Sequence, residues 1–408
     1  SPDYKLSVVG KISLNDGGWS VFVGQLAGAN DDATNNYNVG IGYLALNAST
    51  TGSANAALGS YSMSKNTTGS VNTSIGHNSM KNSTTSSWNT SVGSGSLEFM
   101  TTGHSNTSVG YLSSYRLTTG SHNVSVGRDS LKDVTYAANN VAIGSTSLFK
   151  NTTGNSNVAV GRNAMYSNLT GSNNVAVGQQ ALNLSTTASF NTAVGYQSSY
   201  SGTSAGFNAS FGYKTLWSNQ TGSQCVAIGY EALRNNTQSY NTAVGHQSSY
   251  KNTTGNFNSS FGNYSLHHTT AGGNNTAIGR AALYNNTTGN NNTGIGYHAG
   301  LTLTTGSNNV LLGYNPQPSI NSVSNEITLG NTSVTTLRCN VQTISSLSDL
   351  RDKKEIKNLK NAESFIKKLR PVSFTWNQRD GSRVDTKDIG FIAQELLEAQ
   401  VKANHKIP

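Results

Sequence analysis

Ser348 and Lys353, near the C-terminus, come closest to a catalytic pair by residue type and spacing. A serine hydroxyl is a weak nucleophile until a base accepts its proton. A lysine can be that base if burial lowers its pKa towards neutrality. A turn or bulge between the two residues would bring their side chains together. The residues alone fit a second interpretation better, a helix N-terminus capped by Ser348 with Lys353 in solvent.

Other catalytic chemistries find little support in the chain. The eight histidines are scattered without the spacing of metal ligands, and Cys225 and Cys339 define neither a disulfide framework nor a metal site. Glycine pairs such as those in VGIG at 39–42 belong to a repeat and are not followed by a helical pattern, so they do not predict a phosphate-binding loop. We therefore predict no metal and no cofactor.

A repeat occupies residues 20–330. Its motif is Asn, then Thr or Val, a small residue, an aliphatic residue or Phe, and Gly, as in NTSVG at 106–110 and NVAVG at 174–178. From Gly24 to Gly330 the motif glycine advances 306 residues in 18 steps, each of 17 residues except one of 18 and one of 16. A period this strict indicates a solenoid, because random low-complexity sequence does not keep register.

Each unit predicts a strand, a bend, a short second strand and a turn. Apolar residues alternate with the strand period of two, and Gly and Asn occupy the bends. We expect coils stacked about 4.8 Å apart in a rod of about 85 Å. Val, Ile and Leu are expected to form ladders inside the coil, and the motif asparagines a ladder that bonds between coils. The strand residues expected to stack in register include Val141, Ile143, Val158, Val160, Val175 and Val177.

The NTAVG-type motif resembles the head repeats of trimeric autotransporter adhesins, over about residues 20–330. This resemblance implies a parallel β-roll that packs as a homotrimer, although those heads use a shorter period. A trimer would also bury apolar ladders that one thin coil leaves under-covered. We therefore expect an all-β parallel β-solenoid, or β-roll, of 17-residue coils that forms a homotrimer.

A series of tyrosines directly follows the motif glycine and is expected along one edge of the rod. Such rings could stack on the sugars of a host glycan or simply cover the edge of the coil, and the covering role is favoured. These residues are Tyr43, Tyr111, Tyr196, Tyr213, Tyr230 and Tyr297.

The composition changes at about residue 331. Residues 331–408 hold 23 charged side chains, against 22 in residues 1–330. We divide the chain into a lead-in at 1–19, the stalk at 20–330, a β-rich connector at 331–347 and a small α+β domain at 348–408. In that domain the pattern predicts a helix at 361–369, a strand at 372–376, a turn at 379–382, and a short strand entering a helix at 389–400.

Three segments of this domain resemble the intramolecular chaperone of phage tailspikes and tail fibres, best known from endosialidase tailspikes. They are SDLRDK at 348–353, RPVSFTW at 370–376 and GFIAQE at 390–395. The resemblance implies a domain that trimerises, templates the folding of the stalk and releases itself through a Ser–Lys dyad. Ser348 is then the nucleophile and Lys353 the base, with Asp349 orienting the turn. Because that domain continues into a long C-terminal helix, a chain ending at Pro408 is expected to be truncated.

Ring size favours cleavage of the Leu347–Ser348 bond. Attack by a serine hydroxyl on the preceding carbonyl passes through a five-membered ring, whereas attack on its own carbonyl needs a strained four-membered ring. If a neighbouring subunit supplies the nucleophile, the Ser348–Asp349 bond is equally reachable.

These features predict a structural fibre or adhesin subunit of a virion or cell surface that attaches to a host glycan or receptor, located on the virion surface or in the extracellular space. No apolar run is long enough to span a bilayer and no basic cluster carries interleaved aromatics, so we expect neither membrane insertion nor nucleic-acid binding. Self-cleavage would be the chain's enzymatic activity, and the stalk is not expected to be an enzyme. A glycan-degrading tailspike and a surface- or ice-binding solenoid remain as alternatives.

Overall fold

A computed structural model describes residues 19–32, 34–338, 362–377 and 384–402. It divides into two compact units, Ser1–Thr335 and Thr336–Pro408. The first unit is a parallel β-solenoid with one three-residue strand in every coil. The strands are β1 Val21–Val23, β2 Val39–Ile41, β3 Ala56–Leu58, β4 Thr73–Ile75, β5 Thr90–Val92, β6 Thr107–Val109, β7 Val124–Val126, β8 Val141–Ile143, β9 Val158–Val160, β10 Val175–Val177, β11 Thr192–Val194, β12 Ala209–Phe211, β13 Val226–Ile228, β14 Thr242–Val244, β15 Ser259–Phe261, β16 Thr276–Ile278, β17 Thr293–Ile295, β18 Val310–Leu312 and β19 Ile327–Leu329.

The predicted register is confirmed. Val141 pairs with Val158, and Val158 pairs with Val175, so each strand lies directly beside the equivalent strand of the next coil. The shortened coil keeps the same alignment, because Val226 pairs with Thr242. Its missing residue is therefore absorbed in the turn.

The prediction that Val and Ile line the inside of the coil is wrong. The central residue of each strand faces inward, so Ala142 is fully buried, whereas Ile143 is 40% exposed on the outer face. Space at the strand centre is narrow: a Cβ added to Gly294 would lie 2.8 Å from Cγ of Leu283. Only Ala, Ser or Gly fits there in most coils, and the β-branched residues are left outside.

The apolar interior instead comes from the segment after the motif glycine. The fourth residue after the glycine is Leu or Met in most coils and is fully buried, as in Leu148 and Met165. Coils with a serine at the strand centre place a second serine opposite it, and Oγ of Ser108 and Oγ of Ser113 lie 2.7 Å apart. The serine hydroxyls at the strand centres are thus paired with other hydroxyls, as the Ser108 hydroxyl is.

The motif asparagines form the predicted ladder between coils. The side chain of Asn174 is fully buried, and its Nδ2 donates to the Ala188 carbonyl at 2.8 Å. Its Oδ1 accepts the backbone N–H of Asn191 at 2.9 Å, one coil further on. The same pair of bonds recurs along the stalk, so each amide closes the turn of its own coil and ties that coil to the next.

Left-handed backbone conformations shape the segment after the glycine. Gly178 has φ of 129°, and a Cβ there would lie 2.5 Å from the Gly195 carbonyl oxygen. Gln180 and Leu182 follow with φ of 59° and 49°, at a cost of about 1–2 kcal/mol each. Hydrogen bonds between coils hold both residues in this conformation. The N–H of Gln180 donates to the Arg162 carbonyl of the preceding coil, and the N–H of Leu182 donates to the Ser198 carbonyl of the following coil.

The second unit contains α1 Ala362–Ile366, β20 Val372–Asn377, β21 Val384–Gly390 and α2 Ala393–Lys402. The two strands form an antiparallel pair with Val372 opposite Gly390. The predicted helix, strand and strand-to-helix order is confirmed, with a shorter first helix and a longer second strand. The predicted turn at 379–382 lies outside the described residues.

Candidate functional site

The residues predicted for self-cleavage lie outside the described part of the structure. These are Leu347, Ser348, Asp349 and Lys353. Their roles and the cleaved bond remain predictions from the sequence.

An ion pair links two of the three segments that the sequence singled out in this unit. Arg370 lies two residues before the start of β20, and Glu395 lies in the first turn of α2. Nε of Arg370 donates to one carboxylate oxygen of Glu395 at 3.0 Å, and its terminal nitrogen donates to the other oxygen. This two-pronged contact raises the pKa of Arg370 and lowers that of Glu395. It fixes the start of α2 against the strand pair.

Helix α2 has two apolar side chains on an uncovered face. Leu397 and Val401 are four residues apart and 63% and 72% exposed, while Ala399 is buried. Residues spaced in this way share one side of a helix. Among the described residues, these two side chains form a small exposed apolar surface on α2.

The structure brings three of the six predicted tyrosines into one stack, the tyrosine ladder. Tyr196 and Tyr213 have ring centroids 5.4 Å apart, Tyr213 and Tyr230 are 5.0 Å apart, and His246 continues the stack at 5.0 Å. Interplanar angles of 6° to 14° mean that the rings cover each other's faces. A sugar lying along this stack would therefore meet ring edges and hydroxyls.

The other three predicted tyrosines are arranged separately. Tyr43 packs edge-to-face on Tyr61, and Tyr297 stacks on Tyr314 at 5.3 Å. Tyr111 is exposed in its own coil. The tyrosines after the motif glycine thus share a position in the coil without forming one continuous surface.

A second ladder, which the sequence analysis missed, is longer. Its residues stand five positions after the motif glycine, are half-buried and follow one another through six coils. They are Tyr200, Trp217, Arg234, Tyr250, His267 and Tyr284. The guanidinium of Arg234 lies between Trp217 and Tyr250 at 5.1 and 5.7 Å from the ring centroids. Aligning the sequence at its 17-residue period would have revealed this column.

An open groove lies beside this second ladder. Its volume is about 250 Å³, and it is lined by Tyr264, Arg280, Ala281, Tyr284, His298 and Leu301. Tyr264 is turned by 74° from Tyr284 and by 67° from His246. This tilt interrupts the stacking and leaves the concavity.

Four carboxylates of the stalk, among them Asp129 and Glu231, are each held by a cation or by hydrogen-bond donors. Asp129 is held by Lys132 at 2.9 Å and Glu231 by Arg234 at 3.3 Å. Hydrogen bonds from Thr34 lower the pKa of Asp32, and those from Ser319 lower the pKa of Glu326. A general acid needs a raised pKa, so the lowered pKa values of Asp32 and Glu326 argue against either carboxyl as the acid of a glycan-degrading site.

Within residues 19–32, 34–338, 362–377 and 384–402, no three His, Cys, Asp or Glu side chains converge as metal ligands. In the same ranges no helix has the length and apolarity needed to cross a membrane.

Comparison with known proteins bears on the C-terminal unit. Residues 348–405 match the family described as the chaperone of endosialidase. The chain thus carries an endosialidase-type chaperone domain behind a β-solenoid stalk, an organisation that fits a tail-fibre or tailspike-like protein. No curated protein and no solved structure matches the chain.

The matched range includes the contacts described above for the second unit. Both partners of the Arg370–Glu395 ion pair, and the exposed stripe of α2, belong to the endosialidase-type chaperone domain. That domain suggests a phage-associated extracellular protein.

Proposed function

We propose that the protein is a subunit of a homotrimeric virion fibre that attaches to a host surface glycan or receptor. The chaperone domain aligns three chains and then releases itself through Ser348 and Lys353. The outward apolar face of the strands, the strand face, is the observation that carries this proposal. An exposed apolar face on the stalk calls for partner chains to cover it, and the chaperone domain would bring those chains together.

The strand face runs the length of the solenoid. Two residues of each strand point outward, and they include Ile41, Ile75, Ile143, Ile228 and Ile278, all 38–41% exposed. Soluble monomers rarely leave contiguous apolar strips of this length in water. Covering the exposed part of one such side chain contributes about 1 kcal/mol, so many coils together stabilise a trimer strongly.

A charged side chain introduced into one coil of the strand face tests whether that face is the trimer interface. Ile143→Asp leaves the interior intact because Ala142 is the residue that faces inward. Three carboxylates would meet at the same level of a trimer, so we expect dissociation or a local opening around β8. Thr153→Asp, at an exposed turn position in the next coil, is the matched control. Sedimentation that shows Ile143→Asp trimers as stable as those of the control would contradict this assignment of the interface.

Self-cleavage can be tested on a denaturing gel after expression of the complete gene. Wild type should yield a stalk fragment ending at Leu347 and a smaller C-terminal fragment. Ser348→Ala and Lys353→Ala should assemble but stay uncleaved, because one lacks the nucleophile and the other its base. The cleavage rate should rise with pH through the pKa of Lys353, since only the neutral amine accepts the proton. Cleavage that persists in Ser348→Ala would rule out the dyad.

Attachment to the host is expected along the sides of the stalk that the strand face does not use. The rings of the tyrosine ladder stack face to face, so their hydroxyls and edges would be the groups that contact a glycan. Tyr43, Tyr111, Tyr196, Tyr213, Tyr230 and Tyr297 remain predicted contacts.

A further inference from the structure

We propose that the groove formed by Tyr264, Arg280, Tyr284 and His298, the Arg280 groove, binds an acidic sugar unit of a surface glycan. The proposal rests on the proposed attachment function and names the class of ligand. It concerns the segments after the motif glycines of three successive coils and does not involve the strand face.

The charge around the Arg280 groove is of one sign. Residues 232–325 contain no Asp or Glu, but they contain three Lys or Arg and four His. Outside this region some cations of the stalk are paired with carboxylates, as Arg116 is with Asp133 and Lys132 with Asp129. Cations on a surface region without carboxylates attract anionic ligands, because no negative side chain opposes them.

Arg280 is positioned for an anion. Its guanidinium lies 5.7 Å from the centroid of the Tyr297 ring, and its terminal N–H donates to the Tyr297 hydroxyl at 3.2 Å. Arg280 takes part in none of the ion pairs found among the described residues. The side chain is thus held by an aromatic ring while its charge has no carboxylate partner. Such a guanidinium pairs with a carboxylate or sulfate through two parallel hydrogen bonds.

The rest of the groove suits the body of a sugar. Tyr264 is tilted by 65° to 74° from His267 and Tyr284, so its ring is not part of a parallel stack. Leu301 and Tyr284 add apolar surface for C–H groups. The volume of about 250 Å³ lies below the range of about 300–1,000 Å³ typical of drug-sized ligands, so it suits a single sugar unit of a longer chain.

His298 contributes a hydrogen-bonding group rather than charge at neutral pH. Burial, and then the charge of Arg280, lowers the pKa of His298. The ring is therefore neutral near pH 7, and the positive charge inside the groove comes from Arg280.

A glycan fits these features better than a nucleic acid does. A phosphate backbone requires a series of cations along its path. The groove contains one arginine, and the neighbouring ladder rings cover each other's faces and offer no row of free platforms for bases.

The test uses the assembled full-length protein and a panel of hexasaccharides built from uronic acids. Each has a counterpart in which the carboxyl groups are reduced to alcohols. We expect the acidic form of at least one panel member to bind at least tenfold more tightly than its reduced form. Arg280→Gln should weaken that binding about 10- to 100-fold, as expected for the loss of a charge-assisted contact. Arg280→Lys should recover part of it, because the charge remains while the fork is lost.

Arg162→Gln is the matched control. Arg162 is exposed and also directly follows a motif glycine, but it lies outside the groove. The Arg162→Gln variant should bind the acidic hexasaccharides as tightly as the wild type does. Equal binding of acidic and reduced sugars, no binding to any acidic member, or an unchanged affinity in Arg280→Gln would overturn the proposal. So would tighter binding of a single-stranded oligonucleotide that is lost in the same variant. Sedimentation of the same samples separates the two proposals: a trimer that ignores acidic sugars refutes the groove alone, whereas the absence of a trimer refutes the fibre.

Discussion

Removing one amide of the asparagine ladder should open the stalk locally at a predictable cost. In Asn174→Ala the backbone N–H of Asn191 and the carbonyl of Ala188 lose partners at 2.9 and 2.8 Å. Both groups are inside the coil, and leaving a buried polar group unpaired costs about 1–3 kcal/mol. The two losses and the small cavity together give about 4 kcal/mol.

The assay must be local, because a solenoid opens coil by coil. Native-state hydrogen exchange of amides in the coils next to Asn174 reports this opening directly. A loss of about 4 kcal/mol corresponds to roughly thousandfold faster exchange there. Asn173→Ala is the control, because Asn173 is the exposed neighbour in a left-handed conformation and its loss should cost only about 1 kcal/mol.

Asn174→Asp sharpens the test through its pH dependence. The carboxylate would face the Ala188 carbonyl and Oδ1 of Asn157, where Asn174 now donates at 2.8 and 3.1 Å. Burial and these oxygens would raise the pKa of the new side chain, so stability should recover as pH falls and a donor is restored. The reasoning fails if exchange in Asn174→Ala stays within tenfold of the Asn173→Ala control.

Two further outcomes follow from individual positions. Gly178→Ala should destabilise its coil by several kcal/mol, because the new Cβ would meet the Gly195 carbonyl at 2.5 Å; no change in the melting temperature would contradict this close approach. Burial lowers the pKa of His267 to about 4, so the folded state resists protonation and stability should fall as pH drops from about 6.5 to 4. Solvent screening of this half-buried ring limits the loss to about 1–2 kcal/mol per chain, and His267→Phe should remove that part of the acid sensitivity in urea unfolding at pH 7 and 4.5.

The period and register of the stalk were accessible from sequence because they depend on identity at fixed spacing. Residues equivalent to Gly178 and Asn174 recur in most coils, because close backbone approach favours glycine and amide pairing favours asparagine, so the pattern reports them directly. Which side of a strand faces inward was not accessible in the same way. A three-residue strand such as Val141–Ile143 places two β-branched residues on one face and one alanine on the other, and hydrophobicity alone chooses the wrong face.

Some features of the candidate site can likewise be predicted from residue spacing, and others cannot. The stacking of Tyr196 on Tyr213 follows from one shared position in successive coils. The Arg280 groove depends on a local tilt of Tyr264 and on a ring that holds the arginine, and neither is encoded in the spacing. The self-cleaving pair was suggested by resemblance, and the family match covers that segment.

Near-identical coils make the alignment between chains the hard step of assembly. Within one chain each coil pairs with its neighbour one period away, so the contacts are local and form readily. Between the chains of the proposed trimer, a slip by one whole coil would keep most contacts of the strand face, because an apolar residue such as Ile41, Leu58 or Ile75 ends the strand at every level. Little in the regular repeat opposes such a slip. Features that do not repeat include the 18-residue step after Gly24, the 16-residue step after Gly229 and the C-terminal unit. In the proposed trimer, an endosialidase-type chaperone domain that set three chains level before the stalks pair would remove this ambiguity of register.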